Sequence, residues 1–433
     1  MHTFPTLDAW LAHLETAHSG GTIDMGLARV GEVRARMNLV PACPLIVVAG
    51  TNGKGSTCAY LTHIYTEAGY RVGTLTSPHL LRFNERIAIN GEPVADAPIM
   101  AAFERIEAAR GNISLTYFEF NTLAAVSVFA EAAVDVMVLE VGLGGRLDAV
   151  NVFDADVAVI TGVDLDHQAY LGDTIEAVAY EKAGVMRPGR PAVFGQSTVP
   201  QSLAQHAADI GADLLVAGRD FAFTTLEQQQ WSFRFQPQAS RLFSGSRARH
   251  ALPMPALRGG FQLYNAACAL AALECLDARL PVDMGAIKRG LVRVRNPGRF
   301  QVLPGRPLRV LDVGHNPQAA RALRNSLMAL PYAPVRTAVF GMLSDKDIHA
   351  VVATLKDQFD HWRVATLPGP RGLSGAAVAA VLAEHGITAV DVHADVAAAW
   401  QAALSQAGEN DRIAAFGSFH TVADVLAVEN RPT

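Results

Sequence analysis

The segment Gly50-Thr-Asn-Gly-Lys-Gly-Ser-Thr57 constrains this chain more than any other feature. An apolar run, Leu45–Ala49, stands before it, and the residues from Ser56 to about Glu67 read as a helix after it. A strand, a glycine-rich loop and a helix in that order make a phosphate-binding unit. The glycines let the backbone curl so that successive N–H groups face one point. The helix start adds a partial positive charge. Lys54 supplies a point charge for terminal phosphates, and a hydroxyl of the loop suits a magnesium ion. The loop departs from the common G-x-x-x-x-G-K-[ST] form, because Val48 stands where its first Gly belongs and Gly55 follows the lysine. The plain alternative is a Gly-rich turn with a surface lysine. The strand–loop–helix context favours the nucleotide.

Such a unit belongs to a parallel α/β sheet, and strands alternate with helices in two stretches. The first runs from about Pro44 to Val193, with apolar runs at Leu45–Ala49, Val72–Thr76, Val134–Leu139 and Val157–Thr161. Between Asp213 and Met254 the pattern changes to short alternating runs, such as Trp231-Ser-Phe-Arg-Phe235, which predict a small antiparallel patch. A helix over Gln262 to Ala278 follows. The second stretch starts at Leu308-Arg-Val-Leu-Asp312 and continues through Thr337–Phe340, Trp362–Ala365 and Arg412–Phe416. Pro and Gly break the periodicity in Arg293-Val-Arg-Asn-Pro-Gly298. A chain of 433 residues also exceeds what one hydrophobic core usually serves. The expected fold is α/β throughout. A P-loop ATPase domain over 1–293 has a mostly parallel sheet and a small antiparallel patch. A linker at 294–298 leads to a C-terminal Rossmann-like α/β domain over 299–433.

Composition narrows the setting. Half the residues are apolar and 18% are charged, as in soluble globular proteins. A net charge of −5 provides no general basic surface, which argues against nucleic acid. Cys43, Cys58, Cys268 and Cys275 form no C-x-x-C pair and read as reduced core thiols of a cytoplasmic protein. Met1 to Ser19 carries Asp8 and Glu15 and lacks a basic start, so no secretory signal is expected. The most apolar stretch, Thr122 to Val141, contains Glu131, Asp135 and Glu140, and reads as a helix and a buried strand rather than a membrane span. The chain is taken as a monomer.

In a parallel sheet, ligands bind outside the carboxyl ends of the strands. Ser77 follows Val72–Thr76, Glu140 follows Val134–Leu139, and His167 comes shortly after Val157–Thr161. Hard oxygen donors suit magnesium, which takes few protein ligands. A histidine on magnesium is less natural, and the residues alone do not propose it. Singly, Ser77 is a turn residue before Pro78, Glu140 a partner for Arg146, and His167 a surface histidine. Their shared placement favours a site.

Read together, these segments resemble the Mur-ligase superfamily, specifically its folate branch. The resemblance rests on Thr22–Leu27, Gly50–Thr57, Ser77-Pro-His-Leu80 with Arg82, Thr116-Tyr-Phe-Glu119, Glu140–Ala149, Leu165-Asp-His167, Glu181-Lys-Ala-Gly184, Asn296-Pro-Gly-Arg299, Asp312–Pro317, Met342–Lys346 and Gly417–Thr421. They span almost the whole chain. The stretch from about Pro200 to Met254 carries no motif. The resemblance implies an ATP-dependent ligase: a substrate carboxylate is phosphorylated, and the amino group of L-glutamate displaces the phosphate. It implies dihydropteroate and reduced folates as acceptors, and two magnesium ions.

The resemblance also assigns residues. Gly50, Thr51, Asn52, Gly53, Lys54, Gly55 and Ser56 hold the triphosphate, with Asn265, Arg299 and Asp312 as further ATP contacts. Ser77, Glu140 and His167 hold magnesium. Lys182 is carbamylated and supports the second metal. Such a lysine needs burial or a neighbouring cation, because carbon dioxide reacts only with the neutral amine; the plain alternative is a Glu181–Lys182 ion pair. His315 serves the γ-phosphate or the incoming glutamate, and Ser418 lies near a glutamate site. The second domain closes over the nucleotide and brings Arg299 to it. Asp24, Met25, Gly26, Leu27, Thr116, Tyr117, Phe118, Glu119, Leu147, Asp148 and Ala149 form the dihydropteroate site, with Phe118 against the pterin. As alternatives, Phe118 is core and Thr116 a helix cap. Three other functions compete: a ligase that only lengthens existing folates, a cell-wall ligase acting on a UDP-linked precursor, and a non-catalytic nucleotide switch. The phosphate loop starts by Gly50, so no UDP-binding domain is expected before it and the cell-wall reading is disfavoured.

Overall fold

The computed structural model describes residues 4–17, 24–226 and 230–430. Thr22 and Ile23 of the first folate segment, and part of the 1–19 stretch, lie outside the described residues. The chain divides into two compact units, 1–256 with 263–294, and 257–262 with 295–433.

The first unit is built on an eight-stranded sheet. Its strands are β1 (Leu45–Ala49), β2 (Val72–Leu75), β3 (Ile87–Ile89), β4 (Glu92–Pro93), β5 (Val136–Glu140), β6 (Val157–Ile160), β7 (Pro191–Phe194) and β8 (Asp213–Val216). Their order is β4-β3-β2-β5-β1-β6-β7-β8. The six strands from β2 to β8 run parallel, and β3 and β4 add an antiparallel edge. Every residue of β1 and β5 is buried, as a strand covered on both faces requires. β1 is central, so its loop emerges between the ends of β5 and β6.

Several expected bounds shift. The helix after the phosphate loop is Lys54–Glu67 and starts at the lysine itself. The run expected at 134–139 pairs as Val136–Glu140, so Glu140 is the last residue of its strand. Val134 instead donates its N–H to Phe129 O in the turn that ends the preceding helix. Asp213–Val216 is the eighth strand of the main sheet, parallel to β7, and not part of the antiparallel patch. Its four residues are too short for periodicity to separate the two settings. The patch is β9 (Phe221–Leu226), β10 (Gln230–Phe235) and β11 (Arg247–Pro253), in the order β11-β10-β9.

The second unit holds a six-stranded sheet of β12 (Gln301–Leu303), β13 (Leu308–Asp312), β14 (Arg336–Phe340), β15 (His361–Ala365), β16 (Val390–His393) and β17 (Arg412–Phe416). The order is β12-β13-β17-β14-β15-β16, parallel except for β12. Its core gathers Val310, Phe340, Trp362, Leu382 and Phe416. Among the described residues, no helix is long and apolar enough to cross a membrane.

Candidate active site

The phosphate loop is fixed by the neighbouring β6 end. Thr51 donates its N–H to Gly162 O at 2.9 Å. Thr161 donates its hydroxyl to Asn52 O at 2.6 Å. Gly50 has no room for a side chain, because a Cβ there would lie 1.9 Å from Thr161 Oγ1. Gly53 is left-handed, at φ +88°, where only glycine sits without strain. A Cβ on Gly53 would lie 2.3 Å from Asn265 Oδ1. Asn265, buried on the helix Gln262–Leu276, is thus brought against the loop from 212 positions further along the chain. Gly53 caps its helix with no side-chain acceptor, which leaves the first-turn amides suited to an anion. Lys54 Nζ donates to Gly50 O at 3.0 Å and Thr51 O at 3.3 Å, so its charge lies over the loop.

Two of the three residues expected to bind metal are joined through a backbone amide. Ser77 N donates to Glu140 Oε2 at 3.1 Å, and Glu140 is buried. Arg146 does not pair with Glu140; it pairs with Glu181 at 2.7 Å. His167 is on the loop after β6, in a left-handed conformation at φ 51°. That loop is tied to the phosphate loop, because Thr51 Oγ1 donates to Asp164 O at 2.9 Å and accepts from Asp164 N at 3.0 Å. Among the described residues, no three His, Cys, Asp or Glu side chains form a ready metal cage. Magnesium needs none: one carboxylate, a hydroxyl and substrate oxygens satisfy it. The Ser77–Glu140 pair fits that demand.

Lys182 is buried near the end of the helix Ile175–Ala183. Burial first, and then the positive charge of Lys54, bring its ammonium down to about 7; Asp166 and Asp148 oppose this. The expected ion-pair alternative fails, since Glu181 is taken by Arg146. The Gly-rich loop after β5 lies flush on this helix end: a Cβ on Gly145 would be 3.2 Å from Lys182 Cα.

The segments expected to hold the pterin converge. Gly26 N donates to Leu147 O at 3.3 Å. Met25 Cε and the Phe118 ring pack on this loop, the first 3.4 Å from where a Cβ of Gly144 would be, the second 2.7 Å from a Cβ of Gly142. Arg29, which the sequence reading missed, joins two segments, binding Asp24 at 2.8 Å and Glu119 at 3.2 Å. No spacing signal marks Arg29. Thr116 and Glu119 form a reciprocal capping box at the start of the helix Tyr117–Glu131. Leu27 stands at the start of the helix Ala28–Arg36. Tyr117 faces Phe83 and the Arg86 guanidinium. Asp148 is buried and accepts N–H bonds from Leu143 and Val150, so its carboxylate shapes the loop that ends at Ala149. Burial raises its carboxyl to about 6, against those amides and Lys54.

In the second unit, Arg299 lies over the Phe419 ring at 4.8 Å, and His315 tilts against the same ring at 6.3 Å. His315 Nδ1 is 2.9 Å from Val313 O. Asp312 ends β13, and its two oxygens accept from Phe300 N at 2.9 Å and Gly314 N at 2.7 Å. Burial raises its pKa, while those amides and Arg299 lower it. Ser418 caps the last helix, accepting from His420 N at 3.1 Å.

Known proteins resemble this chain in sequence and fold. Residues 48–273 match the Mur ligase middle domain, and residues 298–419 match the Mur ligase, glutamate ligase domain. The chain is 43% identical over 423 residues to the dihydrofolate synthase/folylpolyglutamate synthase of Escherichia coli K12, covering 98% of this chain and 95% of that one. A solved structure of E. coli FolC in complex with DHPP and ADP matches at TM-score 0.91 and 42% identity, covering 99% of each chain. A bifunctional folylpolyglutamate synthase/dihydrofolate synthase with Mn, AMPPNP and L-glutamate bound matches at TM-score 0.88 and 44% identity, covering 98% of each. The chain belongs to the Mur ligase family, in its dihydrofolate synthase/folylpolyglutamate synthase branch.

Proposed function

We propose that this chain is an ATP-dependent glutamate ligase with two activities, joining L-glutamate to dihydropteroate and lengthening the glutamate tail of reduced folates. Its family membership and near-full-length identity support both activities. The observation that carries the chemistry is the placement of the phosphate loop beside Glu140, at the carboxyl ends of the adjacent strands β1 and β5.

An acceptor carboxylate is a poor nucleophile toward an anionic triphosphate, so the site must neutralise charge and align the groups. Gly50 to Ser56 hold the triphosphate, with Asn265 beside Gly53 and Lys54 over the loop. Ser77, Glu140 and His167 would hold magnesium, which supplies positive charge against the phosphates and fixes their orientation. A carbamylated Lys182 would turn a buried cation into an anion that supports the second ion. A carboxylate oxygen of the acceptor attacks the γ-phosphorus, and the bond to ADP breaks. The glutamate amine then attacks the acyl carbon, the bond to phosphate oxygen breaks, and the amine loses its proton. An amide, ADP and phosphate result. Arg299, Asp312 and His315 keep in this reading the nucleotide and phosphate roles that the resemblance gives them. Met25, Phe118 and the 142–149 loop form an apolar-edged floor for the pterin.

The route predicts a label transfer. Dihydropteroate carrying heavy oxygen in its carboxylate should deliver one labelled oxygen to the released phosphate. Unlabelled phosphate in a reaction that forms amide would exclude the acyl phosphate.

A further inference from the structure

One side chain stands out on the helix Gln262–Leu276. Every other residue there is buried, or half-buried at Cys275, while Tyr264 is 56% exposed. Its ring meets Phe223 edge-on, with centroids 4.9 Å apart and planes at 89°. Phe223 meets Trp231 edge-on at 6.2 Å. The Trp231 ring is fully buried, and its Nε1–H donates to Pro253 O at 2.8 Å. Phe223 is on β9, Trp231 on β10 and Pro253 on β11, so all three strands of the small sheet brace one phenol. An aromatic ring left in water forgoes the gain of burial. The next residue, Asn265, is the one that meets the phosphate loop at Gly53.

We propose that Tyr264 is the platform on which the nucleotide base stacks. A purine has a broad π-face and an aromatic side chain held in one orientation pairs with it at little ordering cost. The phosphates engage Gly50 to Ser56, and the base engages an aromatic ring one residue from the side chain packed on that loop. The antiparallel sheet, which carries no chemical motif, thereby acquires a role: Phe223 and Trp231 are positioning residues for the platform. This inference rests on the ATP reading of the phosphate loop.

Calorimetric titration of the whole protein with ADP and with inorganic tripolyphosphate separates the two. Tripolyphosphate has no base to stack. Tyr264→Ala should weaken ADP roughly 5- to 150-fold, the range expected for one base on one aromatic ring. It should leave tripolyphosphate within about twofold, and Tyr264→Phe should restore ADP binding, because the π-face is kept. Equal weakening of both ligands by Tyr264→Ala, or no change in ADP affinity, overturns the platform. Lys54→Ala should weaken both ligands. If it weakens neither, the phosphate-loop reading falls and takes the platform with it.

Discussion

The backbone N–H of Ser77 donates to Glu140 Oε2 over 3.1 Å, which ties the turn after β2 to the last residue of β5. Glu140→Gln keeps an acceptor for that N–H and removes the charge. The variant should fold with a near-normal thermal midpoint. ADP formation should drop by about 100-fold or more, the scale seen when charge stabilisation is removed from a transferring group. Undiminished turnover across a magnesium titration would remove Glu140 from the metal site.

Lys182 should carry a carbamate in the active enzyme. Its amine is half neutral near pH 7 because burial, and then Lys54, depress its pKa to about 7. The reactive form grows as pH rises, so activation by bicarbonate should increase as pH rises through about 7. The unfolded lysine titrates near about 10.4. Between the two values the unfolded chain binds more protons, so in bicarbonate-free buffer this residue contributes stability that grows with pH and is lost as pH falls through about 7. Lys182→Ala should be inactive and recover part of its rate with short carboxylic acids. A bare amine in fully active crystals grown with bicarbonate would contradict the assignment.

Thr116 and Glu119 bond each other across the start of one helix, which also carries Phe118. Thr116→Ala should cost about 1 kcal/mol in urea unfolding. It should also weaken dihydropteroate binding, because the helix start positions the ring that packs on Gly142. Unchanged dihydropteroate affinity in a destabilised variant would reduce Thr116 to a cap alone.

Asp24 is held by Arg29, which also holds Glu119. Asp24→Ala should lower kcat/KM for dihydropteroate by roughly 5- to 150-fold, the equivalent of about 1–3 kcal/mol for polar groups left unpaired. The effect on tetrahydrofolate should be smaller. Equal losses on both acceptors would mean that Asp24 does not belong to the nearer pterin position.

Much of this was legible in local pattern. β1, the phosphate loop and the helix after it are consecutive, so composition and order suffice. The placement of Asn265 against Gly53 is a long-range contact that no spacing encodes; only the resemblance pointed to Asn265. Arg29 was missed because a lone arginine on a short helix looks like solvated surface, and its two partners lie on separate segments. Asp213–Val216 was placed in the wrong sheet because four apolar-leaning residues carry no usable period. Tyr264 stood in an apolar helical run, and only the structure distinguishes its exposed ring from its buried neighbours.

The central claim is that one phosphate site serves two acceptors. The direct measurement is ADP release by the purified chain with ATP, magnesium and L-glutamate, with dihydropteroate or tetrahydrofolate supplied in turn. Both acceptors should drive glutamate-dependent ADP release, and Lys54→Ala should abolish both in a folded protein. Release with tetrahydrofolate but none with dihydropteroate would contradict the two-activity account, and near-normal release by Lys54→Ala would contradict the site itself.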